Sequence, residues 1–265
     1  MPLDFRTIQA VIADMDGVLW RDHDTLPGAS EFFQALHGRI PYAFATNNSS
    51  KTVAYYQQKL AGMGISVQPD QIITSAVATA EYLAAHHPAP RQIFAIGEVG
   101  LKTALQRRGF ILVEGFQNRP DIIVVGLDRQ FSYAKLDQAI RYIRAGALFL
   151  ATNADKTFPS AAGLAPGAGS LVAAVEAGSG VAPIVIGKPA APMFQAALAR
   201  VGSPPAHTLM IGDRLDTDIE GAARLGMKTA LMLTGVAAET DIINNNAIPD
   251  AVYQNLAALL RAYRA

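Results

Sequence analysis

The chain has no cysteine among its 265 residues, which removes disulfides, thiolate metal ligands and thiol nucleophiles from consideration. It also lacks an excess of either charge, because 22 basic and 22 acidic residues cancel. Without a basic footprint, neither nucleic acid nor an anionic membrane surface is an expected partner, and any anionic substrate has to be met by a local site. No uninterrupted apolar stretch reaches the length of a membrane span. The opening, MPLDFRTIQAVIA, places Asp4 and Arg6 where a signal peptide needs an apolar core, so a soluble, cytoplasmic protein is expected. There is no fixed-period repeat and no low-complexity segment. Hydrophobic residues make up 51% of the chain and charged ones 17%, a balance that excludes a disordered protein.

What the sequence has is alternation. Short apolar runs (AVIA, YAFAT, QIFAIG, DIIVVGL, ALFLAT, PIVIG, TLMIG, TALML) are separated by amphipathic stretches such as GASEFFQALHG, TVAYYQQKLAGMG, SYAKLDQAIRYIRAG and APMFQAALARVG. Several of these end in the glycine expected at a helix C-terminus. Strand–helix–strand alternation predicts an α/β protein with parallel sheets, whose strand C-terminal ends gather on one edge where ligands bind. Two seams, residues 84–92, rich in Pro and His, and residues 176–184, rich in Gly and Pro, bracket a run able to form an α/β unit of its own. One domain inserted within another follows.

Four apolar runs end in polar residues of complementary type, at Asp14, Thr46, Lys188 and Asp213. Asp16 follows Asp14 at a spacing that, in extended backbone, puts both carboxylates on one side. Asp14, Asp16 and Asp213 cannot all stay ionised without a cation, and hard oxygen donors with no His or Cys point to Mg²⁺. Thr46, Asn47 and Asn48 open the loop TNNSS before a helix, where a hydroxyl, amides and the helix dipole can cradle a phosphate. Lys188 adds a point charge. Together these residues describe a phosphoryl-transfer site. Asp14 attacks phosphorus as a ready-made carboxylate. Asp16 serves as acid and base and lends the metal its backbone carbonyl. Gly17 permits the turn out of the strand, and Asp218 orients a metal-bound water or Lys188.

With these residues the chain resembles the haloacid dehalogenase superfamily, through four ordered motifs: DMDGVLW, TNNSS, GKP and GDRLDTDI. The stretches VVGLDRQFSYAKLDQAI and ATNADKTFPSAAGLAPGAGS further resemble its NagD-like and p-nitrophenyl-phosphatase-like subfamily, which carries a large α/β cap. The resemblance implies a Rossmann-like, doubly wound core of residues 1–76 and 184–265 with an inserted cap of residues 77–183 that selects substrate. It implies a nucleophile at Asp14, an acid/base at Asp16, phosphate ligands at Thr46 and Lys188, and a metal ligand at Asp213. An Asp at position 16 argues for phosphate esters, since relatives that cleave carbon–halogen or carbon–phosphorus bonds lack it. The segment RDHD (21–24) departs from the shorter, Gly-containing turn of the subfamily. Caps of this type often meet in dimers, so a homodimer through the cap is a further expectation.

Each motif alone has a plainer reading: Asp-Gly as a turn, TNNS as a helix cap, Lys188 as a solvated loop lysine. Their joint order at strand ends favours function. The five histidines show no ligand spacing, and Trp20 reads as packing at a position that reaches the mouth of the site. APGAGS (165–170) lacks the lysine of a phosphate-binding Walker loop and reads as tight cap backbone. Asn153 and Asp155, just after ALFLAT, are candidate cap contacts to substrate. The leading expectation is a Mg²⁺-dependent phosphomonoesterase acting on a small phosphate ester. A phosphotransferase or mutase using the same nucleophile, and a non-catalytic phosphate-ligand module, are the alternatives.

Overall fold

The computed structural model describes residues 3–88, 91–115, 117–160, 163–243 and 247–265. The chain divides into two compact units, Met1–Thr46 with Ala54–Ile73 and Lys188–Ala265, and Asn47–Val53 with Thr74–Gly187. The second unit thus begins three residues before the expected insert, ends four after it, and includes residues 47–53.

The first unit is built on a six-stranded sheet in the order Ala251–Tyr253, Lys228–Met232, Thr208–Gly212, Ala10–Ala13, Tyr42–Thr46, Ile72–Thr74. Its first five strands pair in parallel. Every residue of Ala10–Ala13, Tyr42–Thr46 and Thr208–Gly212 is buried, which explains why these strands read as apolar runs and not as alternating ones. Register sets Ala13 opposite both Ile211 and Phe44. Asp14, Asp213 and Thr46 therefore arrive at one edge of the sheet. The helix Ala191–Val201 lays Met193, Phe194, Ala197 and Val201 into the core and ends at Gly202, whose left-handed backbone returns its N–H to the Leu198 carbonyl.

The second unit repeats the plan with a parallel five-stranded sheet, ordered Ile184–Val185, Leu148–Ala151, Ile122–Val125, Gln92–Ile96, Ile111–Leu112. Phe94, Ile123, Val125 and Phe149 of its strands pack with Tyr142, Ile143, Val172 and Val175 of the helices Tyr133–Arg144 and Ala168–Ser179. The glycines of APGAGS are tight backbone here: a Cβ on Gly167 would lie 2.2 Å from the Asp155 carbonyl oxygen. An antiparallel hairpin, Thr157–Ser160 with Gly163–Pro166, completes the unit.

All eight expected strands are present. The edge strands Ile72–Thr74, Ile111–Leu112 and Ala251–Tyr253 were not expected, because two or three residues display no periodicity. The RDHD segment forms a small hairpin, Trp20–Arg21 against Asp24–Thr25. Asp22 takes the left-handed conformation (φ 53°) that a glycine would occupy, the sole non-glycine to do so among the described residues. No helix among the described residues is long and apolar enough to cross a membrane.

Candidate active site

The centre of the first unit is a buried ion cluster. Asp14 follows directly on its strand, tied by its N–H to the Ile211 carbonyl at 2.8 Å. Its Oδ1 accepts from Lys188 Nζ at 2.8 Å. Lys188, only 2% exposed, also donates to the Ala45 carbonyl at 2.9 Å and lies 2.6 Å from Asp218 Oδ1. Asp218 sits in a single π-helical turn, Leu215–Ile219, an irregularity that recurs at functional sites. The turn swings Asp218 back under Gly212, and the Arg214 N–H holds its Oδ2 at 3.1 Å. Asp213 Oδ2 accepts the Val236 N–H at 2.8 Å. Its other oxygen is buried with no hydrogen-bond partner.

One lysine does not balance this set. Burial, and then the charges of Asp218, Asp213 and Asp16, raise the pKa of Asp14 well above the ordinary carboxylate value, against the pull of Lys188. Burial first and Asp218 second push Asp213 up to about 7. Burial works against the charge on Lys188, yet Asp14 and Asp218 outweigh it and hold its pKa above the usual value. Asp14, Asp213 and Asp218 each present an oxygen within 4.8 Å of the others. Three hard oxygen donors, one of them orphaned, fit a divalent cation, which would favour the ionised forms of Asp14 and Asp213. The sequence assigned the metal to Asp14, Asp16 and Asp213. The clustered carboxylates are Asp14, Asp213 and Asp218, and the carboxylate of Asp16 is not among them.

Asp16 is placed apart because the chain leaves the extended conformation. Met15 is fully buried, and its carbonyl accepts the N–H groups of Val18, Leu19 and Trp20. The resulting tight turn, with Gly17 at φ 82°, brings Trp20 back beside Asp16, where the indole Nε1–H donates to Asp16 Oδ1 at 2.8 Å. Asp16 itself is exposed. Thr46 is buried.

The remaining expected residues lie in the second unit. The Asn47 carbonyl accepts from Asn153 Nδ2 at 2.7 Å and from the Ser75 hydroxyl at 2.6 Å. Its amide donates to Asp155 Oδ2 at 3.0 Å. Asn48 Oδ1 accepts from both the N–H and the hydroxyl of Ser50, an Asx turn. Asn153, 4% exposed, and Asp155 thus brace the 47–50 loop.

Several site residues escaped the sequence reading. Gly235 passes so close to Asp213 that an added Cβ would lie 1.8 Å from Oδ2; the signal was a glycine just after the strand TALML. Tyr56, buried beside Thr46, looked like any apolar position of its helix. Trp20 was read as packing, which its 1% exposure bears out, but its N–H was not counted.

A family model described as haloacid dehalogenase-like hydrolase matches residues 11–111, and a second, HAD-hydrolase-like, matches residues 185–259. The acid sugar phosphatase of Staphylococcus aureus is 36% identical over 249 residues, covering 94% of this chain and 95% of that protein. The 4-nitrophenylphosphatase of Thermotoga maritima superposes with a TM-score of 0.90 at 33% identity, covering 98% of each chain. A glycerol phosphate phosphatase from Mycobacterium tuberculosis, solved in complex with magnesium, gives a TM-score of 0.89 at 32% identity, covering 96% of this chain and 77% of that one.

Proposed function

This chain belongs to the haloacid dehalogenase-like hydrolases, in their NagD-like group, and from that premise we propose how its residues release phosphate. The chain is a phosphatase acting on small phosphate esters. The observation that carries the assignment of roles is the buried Asp14–Lys188 pair beside the unpartnered oxygen of Asp213.

Lys188 anchors Asp14 through Oδ1, so Oδ2 is the oxygen that attacks phosphorus. The new O–P bond forms as the ester P–O bond breaks, and Asp16 delivers a proton to the departing oxygen. Asp16 then takes a proton from the water that attacks the aspartyl-phosphate, which restores the Asp14 carboxylate and releases inorganic phosphate. Thr46 and Lys188 hold the phosphoryl oxygens. Asp14 and Asp213, with the Asp16 carbonyl and support from Asp218, hold a divalent cation, which we assign as Mg²⁺. Once bound, that cation neutralises charge on the carboxylates and the phosphoryl group. Choice among sugar, nucleotide and glycerol-type phosphates we assign to side chains of the inserted unit.

Purified protein with Mg²⁺ should convert p-nitrophenyl phosphate to inorganic phosphate, with no phosphate passed to added alcohols. Asp14→Asn should lower kcat by about a thousandfold or more while the protein stays folded. Full activity in that variant would refute the assignment.

A further inference from the structure

Asp16 differs from the other site carboxylates in being exposed, and an exposed aspartate has no packing to select its rotamer. Among the described residues, its side-chain hydrogen-bond partner is an indole that is itself immobilised. The Trp20 ring is 1% exposed and stacks on Tyr56, with centroids 6.3 Å apart and planes inclined by 12°. The Lys59 ammonium lies 3.8 Å from the Trp20 ring centroid. Lys59 is itself tied down by its bond to the Asp22 carbonyl at 3.2 Å, at the left-handed corner of the 20–25 hairpin. Tyr56 in turn is buried. The indole N–H therefore points at Asp16 Oδ1 from a ring held by an aromatic ring and a cation.

We propose that Trp20 is a positioning residue for proton transfer, holding Asp16 by Oδ1 so that Oδ2 meets the ester oxygen. The proposal rests on the acid/base role assigned to Asp16 above. An indole N–H only donates, so it fixes Oδ1 as the accepting oxygen and does not compete for the proton at Oδ2. The hydrogen bond, at 2.8 Å, has the length of a full-strength N–H···O contact. A residue chosen for packing alone would meet the same burial with phenylalanine or leucine. Neither supplies a donor at that point. Lys59, against the ring, gives the alignment a second support and attracts the π-face.

The test is a comparison of leaving groups. Nitrophenolate departs without needing a proton, whereas an alkoxide such as that of glycerol phosphate needs one as the P–O bond breaks. Measured as kcat/KM, which reports the step that expels the leaving group, Trp20→Phe should lose about tenfold or more on glycerol phosphate and less than about threefold on p-nitrophenyl phosphate. Replacement of the Trp20 indole by benzothiophene, which keeps the shape and removes the N–H, should show the same selective loss and guards against misfolding of the phenylalanine variant. Asp16→Asn serves as the reference and should show a larger selective loss. If Asp16→Asn is selective and both Trp20 replacements lose equally on the two esters, or lose nothing, Trp20 only packs and the proposal is overturned. If Asp16→Asn is itself unselective, the acid/base assignment falls and the proposal with it.

Discussion

The two units of this chain have the same plan, a parallel sheet covered by helices, yet their strand ends differ in kind. In the second unit Asp128 and Asn153, buried just past their strands, find neutralising or hydrogen-bonding partners close by. Asp128 accepts the Gln130 N–H at 2.8 Å and pairs with Lys135 at 2.7 Å, and Asn153 spends its amide on the Asn47 carbonyl. In the first unit three carboxylates surround one lysine, and Asp213 keeps an oxygen with no partner. A sheet of this type gathers side chains at one edge whatever they are. Whether the edge is structural or reactive depends on whether those side chains satisfy each other.

Removing the lysine of the buried cluster should widen the contrast most. Lys188→Met leaves Asp14 and Asp218 facing each other uncompensated, and unfolding in chelator should show a loss of about 3–5 kcal/mol, together with loss of activity. A loss below about 1 kcal/mol would mean the carboxylates simply protonate at little cost.

A divalent cation should narrow the contrast, and do so in a pH-dependent way. Asp213 has its pKa raised to about 7 from 3.8, and Asp14 shifts in the same direction. A carboxyl with a raised native pKa keeps its proton in the fold after the unfolded chain has lost it. Metal-free stability therefore falls as pH rises from about 4 to about 7. Cation binding to the ionised groups supplies what is missing over that same window. The gap in Tm between Mg²⁺ and chelator should be several degrees wider at pH 8 than at pH 5, where each ~1 kcal/mol moves Tm by roughly 2–4 °C. An equal or narrower gap at pH 8 would contradict this account of the cluster.

The smallest effect belongs to the matched side. Asp128→Asn keeps the acceptor for Gln130 and removes only the ion pair with Lys135. A cost of about 1 kcal/mol in stability is expected, with kcat within twofold of the parent. A large loss of activity in Asp128→Asn would show that the strand ends of the second unit are not the passive set described here.

Much of the site could be read in advance because strands buried on both faces announce themselves as apolar runs, and each run here ends in a polar residue. Asp14, Thr46, Lys188 and Asp213 were singled out by that signal. Asp218 was placed as a helper, since nothing in LDTDI indicates a π-helical turn in place of a regular one. The turn sets it among the carboxylates. The period-two reading of Asp14 and Asp16 failed for a related reason: Met15 collects three backbone N–H groups and ends the strand at Ala13. Asn153 and Asp155, singled out as candidate substrate contacts, hydrogen-bond the loop at Asn47, a partnership that the sequence does not display.

By itself the sequence determined the chemistry: two parallel sheets, oxygen-only ligands, a lysine, and no thiol or imidazole set to compete with them. Those conclusions depend on composition and on local periodicity, which do not need the chain to be folded. Tertiary structure decided the partnerships. That Lys188 meets Asp14 across 174 positions of chain, that Gly235 makes room for Asp213, and that Trp20 aims its N–H at Asp16 follow from sheet register and from a turn of six residues. Contacts of that kind are fixed by packing in three dimensions and leave no period in the chain.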